Sequence, residues 1–299
     1  MHSQPAPRAT VGPVKPFVLA EACRQAGLRC DDAVLLRAHS ASVYLLPAEG
    51  AVARISFGER EGLRPAQAPT IARWLVSQGF PATEPLLDHA VYVGDAIVTF
   101  WVYYPQDGVD TPPSRELGTL LRALHALPSP PFPLPKYRPL TGLGLVLDEP
   151  STLSEGDREW IRSRRKILIN LYQQLDSHLG VGLVHGDAYT GNTLWDDDRV
   201  LLGDLDEVSI APRELDLVNV YQDIRYGTPE SELTDFSQAY GWDAREWPGF
   251  TVLRDMRDLH TLAGFIRRSL RDPAVAAELQ LRIEVLRNPN DHRLWNAAS

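Results

Sequence analysis

Apolar positions along the chain change their spacing part way through. From Ser42 to Leu46 and from Ala51 to Ile55 they form short runs rich in Val, Ile, Tyr and Leu, separated by a Pro-Ala-Glu-Gly turn. This pattern predicts a hairpin, and Val91 to Tyr104, split at Gly94-Asp95, predicts a second. Between them, Pro69 followed by Thr70, Ile71, Trp74 and Leu75 predicts a helix with proline in its first turn, stopping at Gly79. A short helix is also expected from Val18 to Ala26, ended by Gly27. Beyond Pro105 the apolar residues recur at helical spacing. Leu117, Leu120, Leu121, Leu124 and Leu127 mark one face of a helix opening near Ser114. Ser154 with Asp157 is a capping-box pattern for a helix running through Trp160, Leu168 and Leu171 to about His178. Further helices are expected over 212–226, closed by Gly227, over 251–270, and after an Asp272-Pro273 start through Arg287. A small sheet followed by helices predicts an α+β chain of two lobes. The expected organisation is a flexible tail over 1–16, an N-terminal lobe over 17–104 and a C-terminal lobe over 105–299, with the proline-rich stretch 128–139 as a stiff, extended connector.

Composition narrows the function classes. With 299 residues, 44% hydrophobic and 23% charged, the chain has the make-up of an ordinary globular protein. No apolar run approaches the roughly 20 residues that span a bilayer. The first residues carry four prolines and no apolar core of a signal peptide, so a cytoplasmic protein is expected. Cys23 and Cys30 lack further Cys or His partners in sequence and read as free thiols. A net charge of −9 argues against nucleic acid and anionic membrane as partners. That charge is local: residues 204–258 hold 13 acidic and 5 basic residues, leaving 26 and 25 elsewhere. Such a bias fits either solvated helix faces or a cleft for metal and a cationic substrate.

The chemistry concentrates in residues 183–207, LVHGDAYTGNTLWDDDRVLLGDLDE. Strands at 193–195 and 200–203 around the Asp196-Asp197-Asp198 turn would fold Asn192 back beside Asp204. Asp187, Asn192 and Asp204 then converge. Oxygen ligands of this kind suit Mg2+ shared with substrate phosphates, and leave Asp187 for base chemistry. Singly, each of these residues also reads as an ordinary turn or loop residue. Taken together, His185-Gly186-Asp187, Asn192, Asp204 in GDLDE and APRELDL over 211–217 resemble the aminoglycoside phosphotransferase family of the protein-kinase-like superfamily. The segments around His125 and Trp74 are similar to that family too. The resemblance implies a two-lobed protein-kinase-like fold, with Asp187 as the base accepting the acceptor's hydroxyl proton, Asn192 and Asp204 as ligands of Mg2+, and Asp206 assisting behind them. It also implies that His185 orients the loop. Asp216, early in the helix opening at Pro212, reads as a structural, capping-type carboxylate.

The nucleotide side departs from the family pattern. A kinase-like site needs a cation on the α/β-phosphates, usually a strand lysine. The only lysines are Lys15, Lys136 and Lys166, none on a predicted strand, so Arg54 in AVARIS takes the expected place. The glutamate expected on the next helix is missing near Ala68, with Gln67 beside it and Glu59 or Glu61 as substitutes. No lysine is followed by Ser or Thr, which excludes a Walker A loop. The loop His39 to Tyr44 has no glycine, but Ser40 and Ser42 offer hydroxyls to phosphate, and Trp101 and Tyr103 are placed by the resemblance around the base of ATP or GTP. Glu207, Asp223, Asp235 and Asp243 are candidate ligands of substrate amines. The expected activity is NTP- and Mg2+-dependent phosphorylation of a hydroxyl on a small cationic or polyhydroxylated molecule, such as an aminoglycoside-like antibiotic. The alternatives are a metabolite kinase of choline, homoserine or fructosamine type, or a nucleotide-binding pseudokinase.

Overall fold

The computed structural model describes residues 14–38, 41–57 and 64–296. Its elements are α1 (Val14–Ala26), β1 (Val34–Ala38), β2 (Ala41–Leu46), β3 (Ala51–Phe57), α2 (Arg64–Ser77), β4 (Val91–Val93), β5 (Ala96–Val102), α3 (Ser114–Ala126), α4 (Thr141–Val146), α5 (Glu155–Tyr172), β6 (Val181–Val184), β7 (Thr193–Asp196), β8 (Arg199–Leu202), β9 (Ser209–Pro212), α6 (Glu214–Tyr221), α7 (Glu230–Tyr240), α8 (Phe250–Arg268) and α9 (Pro273–Arg287). The architecture is two-lobed α+β, a small sheet lobe and a larger helical lobe. Among the described residues, one compact unit runs up to Trp74 and adds Thr83–Tyr104, and the other comprises Leu75–Ala82 and the chain from Pro105 on.

In the smaller unit, five antiparallel strands run in the order β1-β2-β3-β5-β4. Alternation along β3 sends Ala51, Ala53 and Ile55 inward. Ala53 and Ile55 join Tyr44, Leu46, Val98 and Phe100 under the apolar face of α1, which supplies Val18, Leu19, Ala22 and Cys23. The predicted hairpins hold, with Gly50 and Gly94 in left-handed turns. The strand β1 was not expected: VLLRA has no alternation to read, and Val34 and Leu36 are exposed on an edge. Helix α1 starts at Val14, inside the stretch assigned to a tail, and α2 starts five residues before Pro69 instead of at it. An interior proline forfeits one helical hydrogen bond, and burial of Ala68, Ile71, Ala72 and Leu75 along the same helix offsets that cost.

The larger unit is built around α8, which packs against α4, α5, α6 and α9. Its buried stripe is Leu253, Met256, Leu259, Leu262, Phe265 and Ile266. Helices α3 and α7 lie so close that a Cβ on Gly118 would stand 2.5 Å from the Phe236 carbonyl oxygen. Caps read from the sequence are present: Ser154 accepts from Asp157 N, and Asp272 accepts from Ala274 N and Val275 N. The helix from Ser154 ends at Tyr172, short of His178. The helix expected over 212–226 divides into α6 and a 3-10 turn, Gln222–Tyr226. The proline-rich connector is extended and docks on β9, where Tyr137 N–H donates to Ile210 O at 3.0 Å and Ile210 N–H to Pro135 O at 2.9 Å.

Candidate active site

Two short antiparallel ladders hold the loop 185–192 at both ends. Strand β6 pairs with β9 through Val184 and Ser209, and β7 pairs with β8 through Thr193 and Leu202. At the mouth of the second ladder, Gly203 N–H donates to Asn192 O at 2.8 Å, which sets Asp204 next to Asn192. Asp204 adopts a left-handed conformation, φ 54° and ψ 61°, a region that a short polar side chain tolerates better than most. Gly186 has φ +87°, and a Cβ there would lie 2.3 Å from Glu207 O, so only glycine permits this turn.

The loop is tied from inside by Asp216. This fully buried carboxylate accepts from His185 N at 2.7 Å and Gly186 N at 2.8 Å, and pairs with His125 Nε2 at 3.0 Å. Its hydrogen bonds run to the loop of another segment, not to the end of its own helix, where the sequence suggested a capping-type carboxylate. His185 is buried, with Nε2 on Gly203 O at 2.8 Å and Asp187 N–H donating to Nδ1 at 3.3 Å. One neutral tautomer satisfies both contacts.

Asp187 keeps access to solvent, its side chain 35% exposed. Asn192 Nδ2 donates to Asp187 O at 2.9 Å. Arg257 of α8 places Nη1 2.6 Å from Asp187 Oδ1, and its Nε donates to Gln222 Oε1 at 3.1 Å. Burial acts to raise the Asp187 pKa, but the Arg257 charge, His260 and the Arg257 hydrogen bond together outweigh it and hold the carboxyl below its ordinary range. Asp187 is therefore an anion, poised to receive a proton.

The Asn192 amide nitrogen is engaged, which leaves its oxygen, with the Asp204 carboxylate, as hard oxygen donors. Among the described residues no group of three or more His, Cys, Asp or Glu side chains forms a metal cage. One amide and one carboxylate fit Mg2+ that takes its remaining ligands from phosphates and water.

The four carboxylates proposed for amines part company in the structure. Asp243 is taken up by Arg245 and by the Tyr221 hydroxyl at 2.8 Å. Asp235 is exposed on α7. Glu207 is half-buried, its backbone stacked on Gly186. Asp223 is half-buried next to Gln222, with no hydrogen-bond partner for its carboxylate among the described residues. Burial, opposed by the Arg257 charge and reinforced by Glu232, pushes Asp223 up to about 6.

In the smaller unit, Arg54 pairs across the sheet with Thr99 and Val43, on the face away from α1. Trp101 shares that face and donates Nε1–H to Thr99 Oγ1 at 2.9 Å. Ser42 lies opposite Ile55 on the α1 face and is buried, so Arg54 and Ser42 do not converge; strand alternation separates them. Tyr103 follows β5, its N–H on Gly50 O at 3.0 Å. Ser40, Glu59 and Glu61 lie outside the described residues. Helix α2 carries no acidic residue, and Ala68 is buried.

Sequence reasoning missed Arg257, Gln222 and their support. Gln222 Nε2 donates to Asp258 Oδ1 at 3.0 Å, and Arg225 grips Asp258 Oδ2 at 3.1 and 2.8 Å. The available signal was Asp258, a charge set on the helical stripe of Leu262 and Phe265 and 1% exposed.

The profile of the phosphotransferase enzyme family matches residues 37–253. No curated protein sequence matches the chain. Among solved structures, the amicoumacin kinase hAmiN in complex with AMP-PNP, Ca2+ and Ami is similar at TM-score 0.70 and 15% identity, covering 95% of this chain and 96% of that one. A microcompartment-associated aminopropanol kinase matches at TM-score 0.66 and 14% identity over 90% and 95%. A choline/ethanolamine kinase family protein from Mesorhizobium loti matches at 0.61 and 16% over 91% and 94%. At such identities these likenesses concern the fold.

Proposed function

The chain belongs to the phosphotransferase enzyme family, and from that premise we propose that it transfers the terminal phosphoryl group of a Mg2+-bound nucleoside triphosphate to a hydroxyl of a small, amine-bearing acceptor. The observation that carries this reading is the ionised, solvent-accessible Asp187 on the loop 185–192, whose Asn192 stands next to Asp204 at the mouth of the β7–β8 ladder. Asp187 takes the acceptor's hydroxyl proton as that oxygen bonds to the terminal phosphorus. The bond to the bridging oxygen breaks, and the nucleoside diphosphate leaves with the electron pair. Asn192 and Asp204, with Asp206 behind them, would hold Mg2+, which would supply positive charge against the phosphates. Arg54 is the cation for the α/β-phosphates, with Trp101 and Tyr103 toward the base.

The amine preference now rests on Asp223, a desolvated carboxylate that an ammonium group would satisfy. Structures of similar fold named for ethanolamine and aminopropanol suit an amino alcohol as well as an aminoglycoside-like antibiotic. We place the reaction in the cytoplasm, where nucleoside triphosphates are supplied. ADP release measured across amino alcohols, aminoglycosides, sugars and nucleosides tests this reading. An amine-bearing acceptor should stimulate release, and Asp187→Asn should lower that turnover by about 10²- to 10⁴-fold. Full turnover in the variant would sink the assignment of the base. The acid-free α2 favours a second reading, a nucleotide-binding pseudokinase. It would bind Mg·ATP and release no ADP with any acceptor.

A further inference from the structure

Arg257 has one function in the geometry so far, pairing with Asp187, yet that pairing uses only part of its donor fork. Nη1 is on Asp187 and Nε on Gln222, while Nη2 has no hydrogen-bond partner among the described residues. The side chain retains 13% exposure, and Nη2 is not among the side-chain nitrogens that are both buried and unpartnered, so this atom keeps some access to solvent. It is also fixed. Gln222 is held by Asp258, and Asp258 by both Nε and Nη2 of Arg225, so a buried polar chain on a second element sets the angle of the Arg257 plane. A guanidinium kept charged, oriented and partly unsatisfied is a receptor for an anionic oxygen.

We propose that Arg257 is a further catalytic residue, whose open Nη2 edge binds an oxygen of the phosphoryl group during its transfer while Nη1 holds the base. The proposal rests on the reading of Asp187 as that base. An acceptor oxygen bonded to Asp187 lies about 3 Å from it, and phosphorus about 3–3.5 Å further along the line of attack. Negative charge on the phosphoryl oxygens therefore passes within reach of the neighbouring donor edge. In phosphoryl transfer a positioned arginine stabilises that charge, and the protein's share of catalysis is mainly of this electrostatic and orienting kind. Here the arginine comes from α8 of the same chain, 70 residues beyond Asp187 in sequence.

The test is binding of Mg·ADP to the full-length protein with and without aluminium fluoride, which mimics the phosphoryl group between donor and acceptor. In the parent protein, fluoride should tighten ADP by about tenfold or more. Arg257→Gln should bind Mg·ADP as the parent does and lose most of that tightening, while its melting midpoint falls because Asp187 loses its counter-charge. Arg257→Lys offers one point charge in place of a fork and should recover only part of it. If Arg257→Gln fails to fold, the lysine variant decides alone. Tightening equal to the parent's in whichever variant folds overturns the proposal, as does a parent that binds Mg·ADP without any fluoride effect. A merely structural arginine would weaken Mg·ADP itself along with the fluoride effect, whereas the catalytic role leaves Mg·ADP affinity as in the parent. The base reading fails separately, through full turnover of Asp187→Asn.

Discussion

The carboxylates of Asp223 and Asp187 are shifted in opposite directions, although the same cation, Arg257, acts to lower both. Arg257 contacts Asp187 directly and outweighs its burial, while Asp223 receives only a weaker, through-space share and burial wins. The sign of the consequence follows from linkage. Asp223 has a folded pKa of about 6 against an ordinary value of 3.8, so the folded state binds its proton more tightly and stability falls as pH rises from about 4 through 6. Asp223→Asn should remove that cost. The variant's gain is expected to be absent below about pH 4 and to level off above about pH 6, at about 1–3 kcal/mol once relaxation of this half-buried group is allowed for. Denaturant midpoints at pH 4 and pH 7.5 measure it, and a gain present equally at both would contradict the burial argument. A carboxylate kept at a cost to stability suits a binding role. The same titration makes amine acceptors bind more tightly as pH rises through 6, until the amine itself loses its proton.

The elements show where sequence periodicity was a sufficient guide. The hairpin that brings Asn192 beside Asp204 was legible because a turn of three aspartates separates two short β-prone runs. That local event places two residues 12 apart in sequence side by side. Helices α4 and α7 escaped notice: α4 is only six residues long, and α7 buries only Leu233, Phe236, Ser237 and Tyr240. The partners of Asp216 were out of reach of any local pattern, since the contacts run to His125 and to the backbone at 185–186. Asp216→Ala would strand two backbone N–H groups and a histidine in a dry site. We expect a loss of about 3–5 kcal/mol in chemical denaturation, with activity lost even below the unfolding transition. Gly118→Ala probes a different coupling. Its added methyl would meet the Phe236 carbonyl at 2.5 Å, so α3 and α7 must separate, and a destabilisation of about 1–3 kcal/mol is expected in the same measurement. A neutral result would mean that α7 is held less tightly against α3 than its spacing indicates.

On the scale of the whole molecule, the acidic excess over 204–258 becomes a different fact once its partners are known. Glu214 is buried and accepts from Leu179 N–H and the Ser177 hydroxyl; Asp216 holds the loop. Asp243 pairs with Arg245, Asp255 with Arg164 and Arg254, and Asp258 with Arg225. Much of the charge that the sequence offered as a field for cations is spent locally on caps and ion pairs. What remains comprises exposed carboxylates such as Asp235 and Glu246, screened by solvent and salt, the half-buried Asp204, Asp206, Glu207 and Glu232, and Asp223, whose pKa burial raises to about 6. Attraction of an amine should therefore depend on one site, not on net charge. Neutralising Asp235→Asn and Glu246→Gln together should leave the KM of an amine acceptor within about twofold at physiological ionic strength. Asp223→Asn, which changes net charge by less, should raise it by about 10- to 100-fold, the worth of one hydrogen bond between charged groups. Steady-state kinetics at low and high salt decide the matter. An effect of the surface pair that equals that of Asp223→Asn and fades with salt would restore the long-range field as the source of specificity.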